Sequence, residues 1–218
     1  MSKRFIFDID GTILEEDYSK EREFFKKELS SQEGNIFIPQ ISDLIKGYER
    51  DNDRYDVNLL SDYLTRNSGV EISPELIYKW REVVSNYDPK IVPGAEDMLY
   101  YIWGHKSDYI IGLSNWFGDD QMRRLEKAGL LKYFDNFYGG DFYIKPSKAS
   151  YLNAAGRSNV SDCIVIGDSL ENDVYGPYSA GMDAYYFDRG KMKWRSKKLL
   201  TGSVMKPCPL YAEQMPNP

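Results

Sequence analysis

The sequence predicts an α/β fold: a parallel sheet flanked by helices, interrupted after its first strand by an all-α insert. Three observations carry this. Short β-branched or aromatic runs end in polar clusters, amphipathic helical patterns separate the later runs, and residues 15–90 contain no strand-like run. At 218 residues the chain suits one main domain with a modest insert.

The first run is Phe5–Ile6–Phe7, which leads into Asp8. Tyr109 to Leu113 leads into Ser114–Asn115, and Cys163 to Ile166 into Gly167–Asp168. Continuous apolar runs of this kind read as strands buried on both faces. Phe137–Tyr138 and Ala184–Phe187 are two further candidates. Between them, Ala95, Met98, Leu99 and Ile102 repeat at helical spacing after Pro93–Gly94, Met122 and Leu125 lead to a stop at Gly129, and Ser147 caps a helix closed by Gly156. Strands alternating with helices of this length imply βα units. Right-handed crossovers then bring the polar ends of the strands to one crevice.

Within the insert, Val57, Leu60 and Leu64 share a helical face that ends at Asn67–Gly69, and Ser73–Pro74 starts a second helix carrying Leu76, Ile77, Trp80 and Val84. The expected division is a core of residues 1–14 and 91–218 around a helical cap of residues 15–90. Charge divides the same way. The insert holds 17 acids and 11 bases, against 17 and 17 elsewhere, so it carries the whole net charge of −6.

Composition excludes several classes. One histidine (His105) and two cysteines (Cys163 and Cys208) cannot build a Cys/His zinc site or a disulfide scaffold. Hydrolytic metal chemistry must then rest on carboxylates, which favour a hard ion such as Mg²⁺. The acidic balance argues against nucleic acid as a partner. The seven bases between Arg189 and Lys206 read as a solvated surface segment within the tail, residues 189–218. No apolar run is long enough to span a membrane, and Arg4 leads straight into the first strand with no room for a secretory signal, so the expected location is the cytoplasm.

Asp8 and Asp10 end the first strand two residues apart, so their carboxylates can face the same way, and Gly11 permits a tight turn. Asp168 and Asp173 follow the later strand, where each could serve simply as a helix cap. Four carboxylates gathered at one edge are costly without a cation, and Mg²⁺ accounts for them economically. Ser114 and Asn115 offer a hydroxyl, an amide and turn N–H groups at that edge. Lys145, otherwise an ordinary solvated lysine, supplies the positive charge that a phosphoryl group needs.

Asp8-x-Asp10-Gly11-Thr12, Leu113-Ser114-Asn115, Lys145-Pro146 and Gly167-Asp168-Ser169 with Asn172-Asp173 resemble the four ordered motifs of the haloacid dehalogenase (HAD) superfamily. The intervals of 31 residues from Ser114 to Lys145 and 23 from Lys145 to Asp168 suit that family, as does an insert after the first motif. The resemblance implies a Rossmann-like core and a Mg²⁺-dependent phosphatase of small phosphorylated metabolites such as nucleotides, sugar phosphates or phosphoglycolate. It makes Asp8 the nucleophile and Asp10 the general acid, then base. It gives Mg²⁺ to Asp8, Asp168 and the backbone carbonyl of Asp10. Ser114 and Asn115 grip the phosphoryl oxygens, Lys145 offsets charge, and Thr12 and Asp173 support the site. An acid at Asp10 favours phosphate esters over halides, since a halide leaves without a proton.

Two rival functions are a phosphomutase, which shares the aspartyl-phosphate, and a non-catalytic phospho-acceptor or Mg²⁺-binding regulatory module, which also clusters acids around an aspartate but which the insert of residues 15–90 and Asp10 speak against. For the insert, Tyr48, Arg50, Arg54, Arg66 and Trp80 are the candidate substrate contacts. Pro177 fits only in the first turn of a helix. His105 has no assigned role.

Overall fold

A computed structural model describes residues 2–105 and 108–188 of the chain. Cys208 and the basic segment from Arg189 to Lys206 lie outside them. Five parallel strands form one sheet: β1 (Arg4–Phe7), β2 (Tyr109–Leu113), β3 (Asn136–Tyr138), β4 (Cys163–Gly167) and β5 (Asp183–Tyr186), in the order β3-β2-β1-β4-β5. β1 is central, with Ile6 level with Ile111 on one side and Val165 on the other. The last strand begins at Asp183 and stops short of Phe187, whose N–H bonds the Gly167 carbonyl.

Both faces of the sheet are covered, which is why its strands read as unbroken apolar runs. Phe5, Phe7 and Ile110 turn to one face, against Ala95, Met98, Leu99 and Ile102 of α6 (Ala95–Trp103) and Leu125 of α7 (Gly118–Lys127). Ile6, Ile111 and Val165 turn to the other, against Tyr151, Ala154 and Ala155 of α8 (Lys148–Ala155). Pro177 falls in the first turn of α9 (Gly176–Ser179), where its missing N–H costs nothing.

Between β1 and α6 lie five helices: α1 (Ser19–Glu28), α2 (Ser31–Phe37), α3 (Ile41–Asp51), α4 (Val57–Ser68) and α5 (Pro74–Asn86). Local chemistry sets the ends of the last two. The Asp56 side chain accepts from the Asn58 and Leu59 N–H groups, Gly69 closes α4, and Ser73 with Pro74 opens α5. The chain leaves the sheet and returns to it side by side: Leu14 pairs with Ile91, and the Glu15 N–H donates to the Lys90 carbonyl at 2.8 Å. The helices bury a common apolar cluster, including Phe25, Tyr48, Leu60 and Trp80, that continues into Phe117 and Ile144 beyond β2 and β3. Among the described residues, no helix is long and apolar enough to cross a membrane.

The β2–β3 contact leaves no room for a side chain at Gly112. An added Cβ there would lie 2.2 Å from Phe137 Cδ2. Gly112→Ala should therefore destabilise the fold by about 1–3 kcal/mol through overpacking. The check is the urea midpoint, and an unchanged midpoint would contradict this packing.

Candidate active site

β1 ends at Phe7, so Asp8 and Asp10 belong to the following loop and not to the strand itself. The Asp8 N–H still bonds the Ile166 carbonyl at 2.9 Å, which ties the loop to β4. Gly11, at a φ of 78°, makes the turn that lets its N–H reach the Leu14 carbonyl. The two carboxylates consequently face different partners.

Asp8 meets the lysine. Lys145 Nζ donates to Asp8 Oδ1 and to Asp173 Oδ1, each at 2.8 Å, with all three residues buried. Thr12 Oγ1 donates to Asp8 Oδ2 at 3.1 Å and reaches Asp168 Oδ1 at 3.4 Å. Asp173 is held from behind by the Ser169 N–H, and the Ser169 side chain caps the π-helical turn Leu170–Tyr175 that carries it. Burial, followed by the charges of Asp173 and Asp168, pushes the Asp8 carboxyl well above the usual range, while Lys145 pulls it down. Burial also works against the Lys145 charge, yet Asp173 and Asp8 outweigh it and raise the ammonium's pKa.

Oxygens of Asp8, Asp168 and Asp173 lie within 4.8 Å of one another. Three carboxylates around one ammonium leave an excess of negative charge in a buried setting, which is unfavourable. An all-carboxylate set of this kind fits a hard divalent cation such as Mg²⁺.

Asp10 points elsewhere. Its carboxylate accepts from Arg124 Nη1 and Gln121 Nε2, both on α7 and both buried. Gln121 Nε2 also donates to Ser114 Oγ at 2.8 Å, and Arg124 Nη2 to the Tyr87 hydroxyl at 3.0 Å. Asp10, Ser114 and the end of α5 are thus joined through α7.

Asn115 holds the lysine's backbone. Its Oδ1 accepts from the Lys145 N–H at 2.7 Å and its Nδ2 donates to the Lys145 carbonyl at 3.1 Å. The Asn115 amide thus ties the Lys145 backbone to the end of β2.

The crevice opens into a cavity of about 700 Å³ between the sheet edge and the helices. Asp8, Asp10, Ser114, Asn115, Lys145, Asp168 and Asp173 all line it. Of the insert residues expected there, only Trp80 does. The Tyr48 hydroxyl bonds the Arg54 carbonyl, Arg50 pairs with Asp51, and Arg66 Nε bonds the Asp62 carbonyl. The lining comes instead from one face of α1 (Glu21, Arg22, Phe25) and one face of α3 (Ser42, Ile45, Lys46, Glu49). Both sets recur at three- and four-residue spacing, a signal present in the sequence: acids sharing a helical face with apolar residues.

Residues 3–181 match the haloacid dehalogenase-like hydrolase family, and the chain belongs to it: it is a hydrolase of that family. Over 96 residues it is 34% identical to pyrimidine 5'-nucleotidase YjjG of Escherichia coli K12, a match spanning 42% of each chain and so less than half of that relative. Over 209 residues it is 27% identical to glyceraldehyde 3-phosphate phosphatase of Pyrococcus furiosus, covering 87% of this chain and 82% of the relative. Its fold is shared with the HAD-hydrolase YfnB of Bacillus subtilis, solved bound to magnesium, at 22% identity and a TM-score of 0.62 over 85% and 86% of the two chains.

Glu21 is raised to about 7, chiefly by burial, with Asp10 and Asp17 adding to the effect and Trp80 and Arg124 opposing it. A raised acid binds its proton more tightly when folded. The stability it contributes is present below its unfolded value of 4.5 and is lost as pH rises through about 7. Glu21→Gln should remove that loss, gaining on the order of 1 kcal/mol on the parent between pH 4.5 and pH 8 once solvent screening is allowed for. Urea midpoints at the two pH values test this, and a parent–variant difference that does not change with pH would contradict it.

Proposed function

We propose that this hydrolase is a Mg²⁺-dependent phosphatase that cleaves a small phosphorylated metabolite through an aspartyl-phosphate at Asp8. The observation that carries the proposal is the buried Asp8 carboxylate paired with Lys145 beside Asp168 and Asp173, with Asp10 held two residues along the same loop. The phosphatase and nucleotidase named among its relatives, and the magnesium bound by the YfnB fold, support it.

In the first half-reaction an Asp8 oxygen attacks phosphorus and the bond from phosphorus to the leaving oxygen breaks. Asp10, as general acid, donates its proton to that oxygen. In the second, Asp10 takes a proton from water as the water attacks phosphorus. The bond to Asp8 breaks, freeing phosphate and restoring the carboxylate. Lys145 and the Ser114 hydroxyl stabilise charge on the phosphoryl oxygens, with Lys145 fixed by Asn115 and Asp173. Arg124 and Gln121 hold Asp10 in position for both proton transfers. Asp8, Asp168 and the Asp10 carbonyl would hold Mg²⁺, which neutralises phosphoryl charge when bound. Residues 15–90 act as the cap, excluding water from the crevice.

p-Nitrophenyl phosphate should be hydrolysed with Mg²⁺ and not after complete chelation, and Asp8→Asn should abolish turnover. Activity without divalent metal, full activity in Asp8→Asn, or a long-lived phosphorylated Asp8 with no turnover would each overturn the proposal. Arg124→Met should lower kcat roughly 10–100-fold with KM little changed, as loss of a positioning partner does, and Arg124→Lys should restore part of it. An Arg124→Met enzyme with parental kcat would remove the positioning role.

A further inference from the structure

We propose that the inner end of the cavity takes the neutral, ring-bearing alcohol half of a phosphomonoester, such as a nucleoside monophosphate. Glu49 there rejects esters whose alcohol half carries a second negative charge. This rests on the phosphatase reading of the same site.

Space comes first. A cavity of about 700 Å³ lies within the usual range for small-molecule sites and would leave a two-carbon ester mostly surrounded by water. Its wall away from the carboxylate cluster is apolar: Phe25, Ile38, Ile41, Ile45, Trp80 and Val84. Such a surface gains by covering a flat or apolar group and gains little from a short polar one.

Charge decides the rest. The acids Glu21 and Glu49 are half-buried in the lining, whereas the cations Arg22 and Lys46 are exposed. The two buried cations of the cavity are committed, Lys145 to Asp8 and Asp173, and Arg124 to Asp10. A second anion entering beyond the phosphate would therefore meet carboxylates. Glu49 is fixed by the Tyr55 hydroxyl, which donates to its Oε1 at 2.9 Å.

A buried donor adds an independent observation. Trp116 Nε1 is buried with no hydrogen-bond partner, Trp116 lines the cavity, and its ring lies 4.8 Å from that of Trp80. Trp80 is 3% exposed and lies against Glu21, whose carboxyl it helps to hold down. Buried donors of this kind ordinarily find an acceptor. A ring carbonyl or ring nitrogen on the substrate would supply one, while its hydroxyl or amine donors meet Glu49.

The test pairs binding with turnover. Calorimetry on the Asp8→Asn protein with Mg²⁺ gives Kd for nucleoside 5'-monophosphates, phosphoglycolate and 3-phosphoglycerate. Phosphate release by the parent enzyme gives kcat/KM for the same probes. The esters with a neutral, ring-bearing alcohol half should lead by about tenfold or more in both. Glu49→Gln should shrink that ratio, mainly by improving phosphoglycolate, and Glu21→Gln should do so at pH 8, where Glu21 is ionised. Phosphoglycolate or 3-phosphoglycerate preferred, or a ratio unmoved in both variants, would overturn the inference. Phosphate release with the order reversed defeats the specificity alone, whereas ordered binding with no phosphate release defeats the phosphatase reading and leaves the specificity standing.

Discussion

The site is organised around one buried ammonium. Lys145 touches Asp8 and Asp173 at 2.8 Å, and these reach it from the loop after β1 and the helical turn after β4, 165 residues apart in the chain. Burying that much negative charge is expensive, and one lysine offsets only part of it. The remainder is what makes a divalent cation favourable, and the cation together with Lys145 would keep Asp8 ionised as a nucleophile in our reading. The surrounding contacts serve this pairing: Asn115 fixes the lysine's backbone, Thr12 steadies Asp8, and Ser169 steadies Asp173.

α7 links this centre to the inserted helices. Arg124 on α7 reaches both Asp10 and the Tyr87 hydroxyl at the end of α5. One turn earlier, the buried Asp120 carboxylate accepts from Arg81 and Ser85 of α5. Arg81 also stacks over Phe117, 3.9 Å from the ring centroid. Polar and apolar contacts therefore fix α5 against α7. A helix held in this way brings Trp80 to the cavity beside the residue that positions the general acid in our reading.

Much of this was legible in the sequence because the strands are buried on both faces. Phe5–Phe7, Tyr109–Leu113 and Cys163–Ile166 stood out as unbroken runs, and the polar residues ending each marked the sheet edge. Capping chemistry likewise placed the starts of α5 and α8 at Ser73–Pro74 and Ser147. The insert was harder to read. An arginine or aromatic residue gives no sign of which helical face will meet the cavity, so Tyr48, Arg50, Arg54 and Arg66 were natural candidates. Tertiary packing turned Tyr48 into the core and left Arg50 and Arg66 on local partners. The roles of Gln121 and Arg124 were hidden for a related reason. Their partner Asp10 lies more than a hundred residues away, and only the docking of α7 beside the first loop brings them together.

The central claim is that Asp8 itself takes the phosphoryl group. Acid quenching during turnover of p-nitrophenyl phosphate, followed by borohydride reduction and peptide mass spectrometry, tests it most directly. Homoserine at position 8, formed only when substrate and Mg²⁺ are both present, is the predicted result. An unmodified Asp8 in an enzyme that is releasing phosphate under those conditions would contradict it.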